Sequence, residues 1–409
     1  MKANISSAVL SVLVILGMIS AKCFAEDSEV QNLNPHRINN RLNRLHRNSG
    51  NGNSNNDHRN DIHQGRFHSN LNKIFANLPT VNSPPITEAL APPHNKESQR
   101  VTSWEEWLRT WVANQQSCGY PGTAPSLQDL RIATRPGDTH SYGELGNYPW
   151  MASLKVSFPG MQPRHWCGGA LISDQWVVTA AHCLFAIPPP LWGEKAWTVT
   201  LGALNISGHN VTEQDFKVNR IMVHPQFREQ MLLTGEPSDH DIALVKLSGP
   251  AEVNPWVRPV CLPQPNEEPK KHERCVVTGW GFSAEQNKTS DILKQAVVPI
   301  MDFEMCKDLE GYDKWLTLNM LCAGYWNGGV DACRFDSGGP LQCRYGDQFV
   351  LTGVVSWGDK NGQRCAQPKR PGVYTKASAH VTWIQETIYA DYAGLPQITW
   401  DKIVPRPYR

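Results

Sequence analysis

Asp331-Ala-Cys-Arg-Phe-Asp-Ser337-Gly-Gly-Pro340 places a serine hydroxyl directly before two glycines. A neutral serine is a poor nucleophile, so it needs a general base, and that base needs a carboxylate to fix its tautomer. The glycines after Ser337 let the chain turn tightly and let another molecule approach the hydroxyl. The segment therefore predicts a nucleophile whose histidine and aspartate partners lie elsewhere in the chain.

Two other segments supply those partners. Thr179-Ala-Ala-His182-Cys183 offers an imidazole beside a cysteine, and Asp239-His-Asp241-Ile-Ala-Leu-Val offers a carboxylate that enters an apolar strand. Any one of the three segments alone is a modest signal. Together, in the order His, Asp, Ser and each with its flanks, they predict a catalytic relay in which His182 is the base, Asp241 orients it and Ser337 attacks.

These segments resemble those of the trypsin-like serine proteases, and the resemblance covers about residues 118–390. It implies an all-β fold of two six-stranded antiparallel β-barrels, with the catalytic cleft between them and a C-terminal helix. Independently, short runs rich in Val, Ile, Leu and Thr, separated by turn residues, predict an all-β barrel or sandwich. Examples are Trp150–Val156, Ala170–Val178 and Phe349–Trp357, and the amphipathic stretch Ala379–Tyr389 predicts the final helix.

Composition bounds the compartment and the partners. The chain has 409 residues and a net charge of +1, so no strong field points to nucleic acid or a membrane surface. Eleven cysteines suggest an oxidising compartment. Lys2, the apolar run Ala8–Ile19 and the stretch Cys23-Phe24-Ala25, with small residues at the positions before cleavage, are typical of a secretory signal peptide. We predict a signal peptide at 1–25 and a secreted, extracellular protein; an uncleaved anchor is the alternative.

Further regions follow from changes in composition. We predict a disordered Asn-rich pro-segment at 26–100, a Trp-bearing helix and activation segment at 101–131, a peptidase domain at 132–390 and a tail at 391–409. Ser103 followed by Glu106 is a capping-box pattern. One face of the helix that follows carries Trp104, Trp107, Leu108, Trp111 and Val112. Packing of this face against the following domain is favoured over docking on a receptor, an inhibitor or a membrane.

Loss of Cys23 with the signal peptide leaves ten cysteines, and the resemblance pairs all of them. The implied disulfides are Cys118–Cys261, Cys167–Cys183, Cys275–Cys343, Cys306–Cys322 and Cys333–Cys365. The first of these would keep the pro-segment attached after activation, and the last ties the wall of the substrate pocket.

The resemblance also implies substrate specificity. Asp331 stands where trypsin-like members place a carboxylate at the pocket floor, and a buried carboxylate demands a cationic partner. We therefore expect cleavage after Arg or Lys, and Ala332 favours Arg because it lacks a hydroxyl that often helps to bind Lys. The other implied substrate-binding residues are Ser356, which also supports Asp241, Trp357, Gly358 and Gly372.

Activation is expected at the Arg131–Ile132 bond, by an upstream protease. The resemblance implies that the new amino group of Ile132 pairs with Asp336 and orders the pocket and the oxyanion hole. The family's usual Ile-Val-Gly-Gly is here Ile132-Ala-Thr-Arg135, so Arg135 is a competing cleavage point, although Pro136 makes that bond a poor one.

The main departure from the family lies two residues before the nucleophile, where Phe335 replaces glycine. The backbone N–H groups of Phe335 and Ser337 are expected to hold the oxyanion, and loss of one such donor typically costs about 10²–10³ in rate. Two outcomes stay open: an active enzyme of narrow specificity, or a weak or silent homologue that binds a partner. Long segments at Leu184–Trp197 and Arg228–His240 either overhang the cleft or are neutral insertions.

Minor motifs complete the sequence. Asn205, Asn210 and Asn287 lie in Asn-X-Ser/Thr motifs and are candidate glycosylation sites. The acidic calcium ligands of some trypsins are incomplete here, because Ala203 stands where a Glu is expected and leaves Glu213 alone. We therefore predict no metal and no cofactor.

Overall fold

The computed structural model describes residues 103–114, 117–123, 141–187, 193–208, 210–228, 236–283, 288–358 and 365–395. All of them belong to the second of two units into which the chain divides, residues 1–100 and 101–409. The predicted signal peptide, the Asn-rich segment, the Arg131–Ile132 bond, Asn287 and most of the tail lie outside the described residues. Within the described ranges, no helix has the length and apolar character needed to cross a bilayer.

Six antiparallel strands close the first barrel. Their order around it is β2-β3-β4-β7-β6-β5. They are β2 (Met151–Val156), β3 (Arg164–Leu171), β4 (Trp176–Thr179), β5 (Trp197–Leu201), β6 (Gln214–Val223) and β7 (Ala243–Leu247). Every side chain of β4 is buried, whereas exposed and half-buried residues alternate at the start of β6. The run Ala170–Val178, predicted as one strand, is instead the end of β3, a turn and most of β4.

A second antiparallel sheet has the order β1-β11-β8-β13-β14-β15-β12. Its strands are β1 (Ser141–Tyr142), β8 (Arg274–Gly279), β11 (Lys294–Pro299), β12 (Met320–Ala323), β13 (Pro340–Tyr345), β14 (Gln348–Trp357) and β15 (Gly372–Lys376). A separate hairpin pairs β9 (Phe282–Ser283) with β10 (Lys288–Thr289). The bridge between Ile300 and Ala323 brings the two ends of the six longer strands together. The predicted two-barrel, all-β class is therefore confirmed, with β1 as an added edge strand.

Helices lie at the ends of the described chain. The first, α1 (Trp104–Asn114), begins as predicted, because the Ser103 hydroxyl accepts a hydrogen bond from the Glu106 N–H at 3.2 Å. Two short helices lie within the barrels' sequence: α2 (Ala181–Phe185) follows β4, and α3 (Phe303–Lys307) lies between β11 and β12. The last helix, α4 (Val381–Tyr392), follows a 3₁₀ turn and begins two residues later than the sequence predicts.

The Trp face of α1 packs on α4, which is the interpretation that the sequence favoured. The rings of Trp104 and Trp107 lie 5.1 and 5.5 Å from that of Tyr389. Trp111 stacks on Trp107 at 5.3 Å, and all three tryptophans are buried. Burial of such rings stabilises by roughly 1.5–3 kcal/mol each, so this face is part of the core of the second unit.

Five disulfide bonds staple the fold. They join the same pairs that the resemblance implies: Cys118–Cys261, Cys167–Cys183, Cys275–Cys343, Cys306–Cys322 and Cys333–Cys365. The first joins residues 143 apart in sequence, so it fixes the segment after α1 to the body of the domain.

Candidate active site

A carboxylate–imidazole pair lies where α2 meets the start of β7. His182 is the second residue of α2, and Asp241 precedes β7 by two residues. One carboxylate oxygen of Asp241 lies 2.7 Å from His182 Nδ1, and the other accepts the His182 backbone N–H at 2.8 Å. Ser356, in β14, donates its hydroxyl to Asp241 Oδ2 at 2.5 Å. The carboxylate therefore fixes both the ring and the backbone of His182.

Opposed effects set the pKa values of this pair. Burial alone would lower the pKa of His182, but the charge and the hydrogen bond of Asp241 outweigh burial, and the pKa is raised. Burial alone would raise the pKa of Asp241, but His182 and the Ser356 hydroxyl outweigh it, and the pKa is lowered. The ionised carboxylate thus holds a proton on Nδ1 and leaves Nε2 as the basic nitrogen.

Ser337 is fixed against the first barrel by its neighbours. Its carbonyl oxygen accepts the Gly168 N–H at 2.8 Å. Gly338 has φ +79°, and a Cβ there would lie 2.1 Å from the Thr179 hydroxyl, so only glycine fits this approach. Thr179 and Gly168 flank the segment of His182 and the Cys167–Cys183 disulfide, which brings the serine and histidine segments together.

Within the described residues, no hydrogen bond joins the Ser337 hydroxyl to the His182 ring. Nε2 of His182 lies 4.0 Å from Cys183 Sγ. Catalytic hydrogen bonds are often long before substrate binds and tighten in the reacting complex. Among the described residues, the geometry thus contains the expected contact between Asp241 and His182 and lacks the expected contact between His182 and Ser337.

Phe335 has a backbone conformation that glycine normally adopts, with φ +70°. His165 supports it, because His165 Nε2 lies 3.1 Å from the Phe335 carbonyl oxygen and His165 Nδ1 lies 2.8 Å from the Ser153 hydroxyl. Burial lowers the pKa of His165 to about 4, so the ring is neutral. Sequence analysis missed His165 and Ser153; their nearness to the Cys167 motif was the available signal.

An aromatic row extends from Phe335 over the first barrel. Its ring meets that of Trp166 edge-on at 6.0 Å, and Trp166 meets Phe158 in the same way at 6.0 Å. Beside it, the Arg334 guanidinium lies over the Phe282 ring at 4.6 Å. Pairs of this kind contribute about 0.5–1.5 kcal/mol beyond their buried area. The side chain that replaces glycine is therefore held by neighbours and is not loose in the cleft.

Asp331, which lies outside the strands, packs against Gly372 at the start of β15. It accepts the Ala332 N–H at 2.8 Å, and a Cβ on Gly372 would lie 2.5 Å from its carboxylate. Burial raises the pKa of Asp331 well above its usual range, and Asp336 adds to the rise. Among the described residues, no cation forms a salt bridge with Asp331, so this group is buried without a counter-charge.

Of the other predicted pocket residues, Ala332 and Gly372 contact Asp331, and Trp357 and Gly358 follow Ser356 at the end of β14. Trp357 packs on Tyr312 with ring centroids 5.2 Å apart. At Gly358, an added Cβ would meet no described atom within 4 Å, whereas Gly372 has no room for one. The Cys333–Cys365 disulfide joins the Asp331 segment to the segment before β15.

Asp336 lines a cavity of about 250 Å³ together with Asp331, Ala332 and Cys333. Its carboxylate accepts the Gly281 N–H at 2.7 Å and the Cys333 N–H at 2.9 Å. A Cβ on Gly281 would lie 2.4 Å from the carboxylate, so the close approach requires glycine. Burial raises the pKa of Asp336 to about 6, which shows that these two donors compensate its charge only partly.

The candidate glycosylation sites differ in their surroundings. The Asn205 carboxamide oxygen accepts the Ser207 N–H at 3.0 Å. The Asn210 amide nitrogen, which would carry the sugar, donates to the Asn205 carbonyl at 3.2 Å and to Glu213 at 2.9 Å. A glycan on Asn210 would replace one of the two amide hydrogens, so at least one of these hydrogen bonds would be lost.

Comparison with known proteins agrees with this geometry. The family model described as Trypsin matches residues 139–384. The chain is 39% identical to human "Transmembrane protease serine 5" over 271 residues, 65% of this chain and 55% of that protein. It is 38% identical to bovine "Coagulation factor XI" over 242 residues, 59% of this chain and 36% of that protein. Each match thus spans only part of the relative's length. The chain belongs to the trypsin family of serine proteases.

Proposed function

We propose that this chain is a secreted serine endopeptidase, made as a zymogen, that cleaves after Arg or Lys with narrow specificity. The observation that carries the proposal is the Asp241 carboxylate, which binds His182 twice and Ser356 once within 2.8 Å. That arrangement supports a general base at His182 Nε2. The intact Ser337 hydroxyl on the neighbouring segment supplies the nucleophile.

The chemistry follows from those groups. Ser337 Oγ attacks the scissile carbonyl carbon while His182 Nε2 takes its proton, and Asp241 stabilises the imidazolium that forms. The N–H groups of Phe335 and Ser337 stabilise the negative charge on the carbonyl oxygen. His182 then protonates the leaving amine, and water hydrolyses the acyl-enzyme by the same steps. No metal or cofactor is required.

Substrate preference is proposed from Asp331. Its raised pKa means that burial disfavours its charge in the free protein, and the guanidinium of a substrate Arg relieves that cost. The Phe158–Trp166–Phe335 row supports narrow specificity, because it restricts the leaving-group side of the cleft.

Activation is proposed from Asp336. Its partly compensated carboxylate faces a cavity that accommodates an ammonium group. We infer that cleavage after Arg131 by another protease supplies the amino group of Ile132 to this cavity. The Cys118–Cys261 disulfide then keeps the cleaved segment attached.

The second candidate function is a weak or silent homologue that acts by binding a partner. It is favoured by the positive φ of Phe335 and by the missing hydrogen bond between Ser337 and His182. The test is to cleave the purified chain after Arg131 and measure turnover of an Arg ester, with Ser337→Ala as control. Turnover lost in that variant supports the endopeptidase; equal rates for both overturn it.

A further inference from the structure

Three histidines from distant parts of the chain meet beside the Asp241 segment. His224 follows β6, His240 directly precedes Asp241, and His380 directly precedes α4. One ring nitrogen of each lies within 4.8 Å of those of the other two. Nδ1 of His240 and Nε2 of His380 are only 3.1 Å apart, and the His224 and His240 rings stack with centroids 4.4 Å apart. Three potential ligand atoms therefore lie close together, although the lone pairs of the stacked His224 and His240 rings lie in nearly parallel planes and one of these rings has to tilt before both can bind one ion.

Neighbours orient the nitrogens of His380 and His240 as they do in metal sites, whereas Nδ1 of His224 accepts the Gln226 N–H at 3.3 Å and leaves only its Nε2 for an ion. Nδ1 of His380 lies 2.8 Å from the Lys376 carbonyl oxygen, which only accepts, so this nitrogen carries the proton and Nε2 keeps a lone pair. Nε2 of His240 lies 3.7 Å from an Asp239 carboxylate oxygen and 3.3 Å from the Asn319 amide nitrogen. Without a cation, His240 Nδ1 carries a proton and donates it to Nε2 of His380. When a cation binds these two nitrogens, the proton leaves His240 Nδ1 and His240 is protonated instead on Nε2, beside Asp239.

The charge state and the exposure of the rings also suit a cation. Burial, with the neighbouring histidines, lowers the pKa of His224 to about 2 and that of His380 to about 4. Neutral imidazole is the form that binds metal. His224 and His380 are 7% and 1% exposed, whereas the His240 side chain is 18% exposed and leaves a path from solvent.

We propose that His224, His240 and His380 bind one divalent cation of the zinc class, with solvent as the fourth ligand. Imidazole ligands suit zinc, copper and nickel. A tetrahedral zinc site with bonds of about 2.0–2.1 Å needs nitrogens about 3.3 Å apart, so one pair already fits and the third ring must move inward. A second group of candidate ligands, Cys167, His182 and Cys183, is excluded because both sulfurs form a disulfide.

Occupancy of this site should act on the active site through the backbone. His240 has φ +54°, and its N–H donates to Asp239 at 2.9 Å. The Thr317 hydroxyl donates to the Asp239 carboxylate at 2.8 Å and so fixes Asp239. When the three rings close around a cation, the backbone that shifts is therefore that of His240 and of Asp241, which follows it. Because Asp241 orients His182, we expect reversible inhibition that lowers kcat more than KM. This second part rests on the proposed function.

The binding test uses the full chain and Co²⁺ as a spectroscopic probe. Wild type is compared with His380→Gln and His224→Asn, and with His272→Asn as the control at an exposed histidine outside the cluster. The histidines of the Asn-rich segment are common to all four proteins, so differences report the cluster alone. Thermal unfolding without metal shows which variants fold.

We expect wild type and the control to give the intense visible bands of tetrahedral Co²⁺, and Zn²⁺ to displace them. Each cluster variant should bind Co²⁺ at least about tenfold more weakly. Equal affinity in all four proteins overturns the site. If both variants misfold, the spectrum of the wild type is the test. A weak octahedral Co²⁺ spectrum of the wild type overturns the proposed site.

The inhibition test measures Arg-ester turnover with added Zn²⁺, each protein being compared with its own metal-free rate. Inhibition that chelator reverses in wild type, and that falls at least about tenfold in potency in His380→Gln, supports the coupling to Asp241. Tetrahedral binding without a change in turnover overturns that coupling. If the chain turns over no ester at all, the proposed function fails while the Co²⁺ spectra still decide the metal site.

Discussion

Nε2 of His165 lies 3.1 Å from the carbonyl oxygen of Phe335, across the mouth of the candidate oxyanion hole. Because the pKa of His165 is lowered to about 4, the neutral ring has one donor nitrogen. A carbonyl oxygen only accepts, so Nε2–H donates to Phe335 and the Ser153 hydroxyl donates to Nδ1. This chain of hydrogen bonds stabilises a phenylalanine at φ +70°, a conformation that costs a non-glycine residue about 1–3 kcal/mol.

Replacement of Phe335 by glycine is expected to increase turnover. Glycine adopts a positive φ without penalty, and the shorter residue opens the leaving-group side of the cleft. We expect kcat/KM for an Arg peptide to rise roughly fivefold or more, which corresponds to about 1 kcal/mol of strain or crowding that the wild type has to overcome between the free enzyme and the transition state. We also expect tighter binding of protein inhibitors.

Phe335→Ala separates the two causes. Alanine removes the ring but keeps the Cβ that makes a positive φ costly, so it should restore inhibitor binding without the full gain in rate. Peptide kinetics and inhibition constants of the three proteins check this. A Phe335→Gly variant slower than wild type would contradict the expected role of strain.

Removal of the Trp166 ring should affect only substrates that extend beyond the scissile bond. Trp166 contacts Phe335 edge-on, so Trp166→Ala frees the Phe335 ring and weakens contacts with leaving-group residues. We expect the relative kcat/KM for peptides that differ after the scissile bond to change at least about threefold, the loss of roughly 0.5–1.5 kcal/mol of ring contact. An Arg ester with a small alcohol serves as the internal control, and its kinetics should stay within twofold. Equal changes in both substrate classes would refute a leaving-group role.

The sequence predicts those site residues that can be recognised from their immediate neighbours in the chain. His182, Asp241 and Ser337 each stand in a short motif, and the family that these motifs resemble implies the two-barrel class and the five disulfides. The Ser103–Glu106 cap was equally local.

Features built from distant residues escaped sequence reasoning. His165 supports Phe335 across 170 positions, and no pattern in the sequence joins the two. The same holds for His224, His240 and His380, which the strands of the first barrel and the start of α4 bring together. The sequence-based expectation of no metal considered only the calcium loop and the Asn-rich segment.

Asp331→Asn should abolish selection for Arg and stabilise the free protein. Loss of a buried ion pair's partner typically costs about 3–5 kcal/mol, so kcat/KM for an Arg ester should fall by at least about a hundredfold. The variant also removes a carboxyl group whose ionisation burial disfavours in the folded protein, so Tm of the free protein at neutral pH should rise. Benzamidine, a guanidinium-like cation, should raise Tm of wild type and not of the variant. An Arg ester cleaved equally well by the variant would contradict the assignment of Asp331.

Cleavage after Arg131 should invert the pH dependence contributed by Asp336. In the uncleaved chain, the pKa of Asp336 is raised from 3.8 to about 6, so the folded state binds this proton more tightly than the unfolded state. Its contribution to stability is complete below pH 3.8 and is lost as the pH rises through about 6. After cleavage, the Ile132 ammonium group favours the charged carboxylate, and stability should rise over the same interval.

Thermal unfolding of both forms between about pH 3.5 and 7 measures this difference. At pH values about two units beyond either end of this interval, the contribution of Asp336 should no longer change with pH. Asp336→Asn provides the control, because it should remove the difference between the two forms and also the gain in Arg-ester turnover on cleavage. Parallel Tm curves for the cleaved and uncleaved wild type would show that the new terminus does not reach Asp336.

The role of Ser337 is tested most directly by covalent labelling. The chain cleaved after Arg131 is treated with an Arg-containing phosphonate ester that reacts with activated serines, and the modified peptide is identified by mass spectrometry. We predict one label per chain on Ser337, abolished by His182→Ala and absent from the uncleaved chain. Cleaved, folded protein that shows neither labelling of Ser337 nor turnover of an Arg ester would contradict the account.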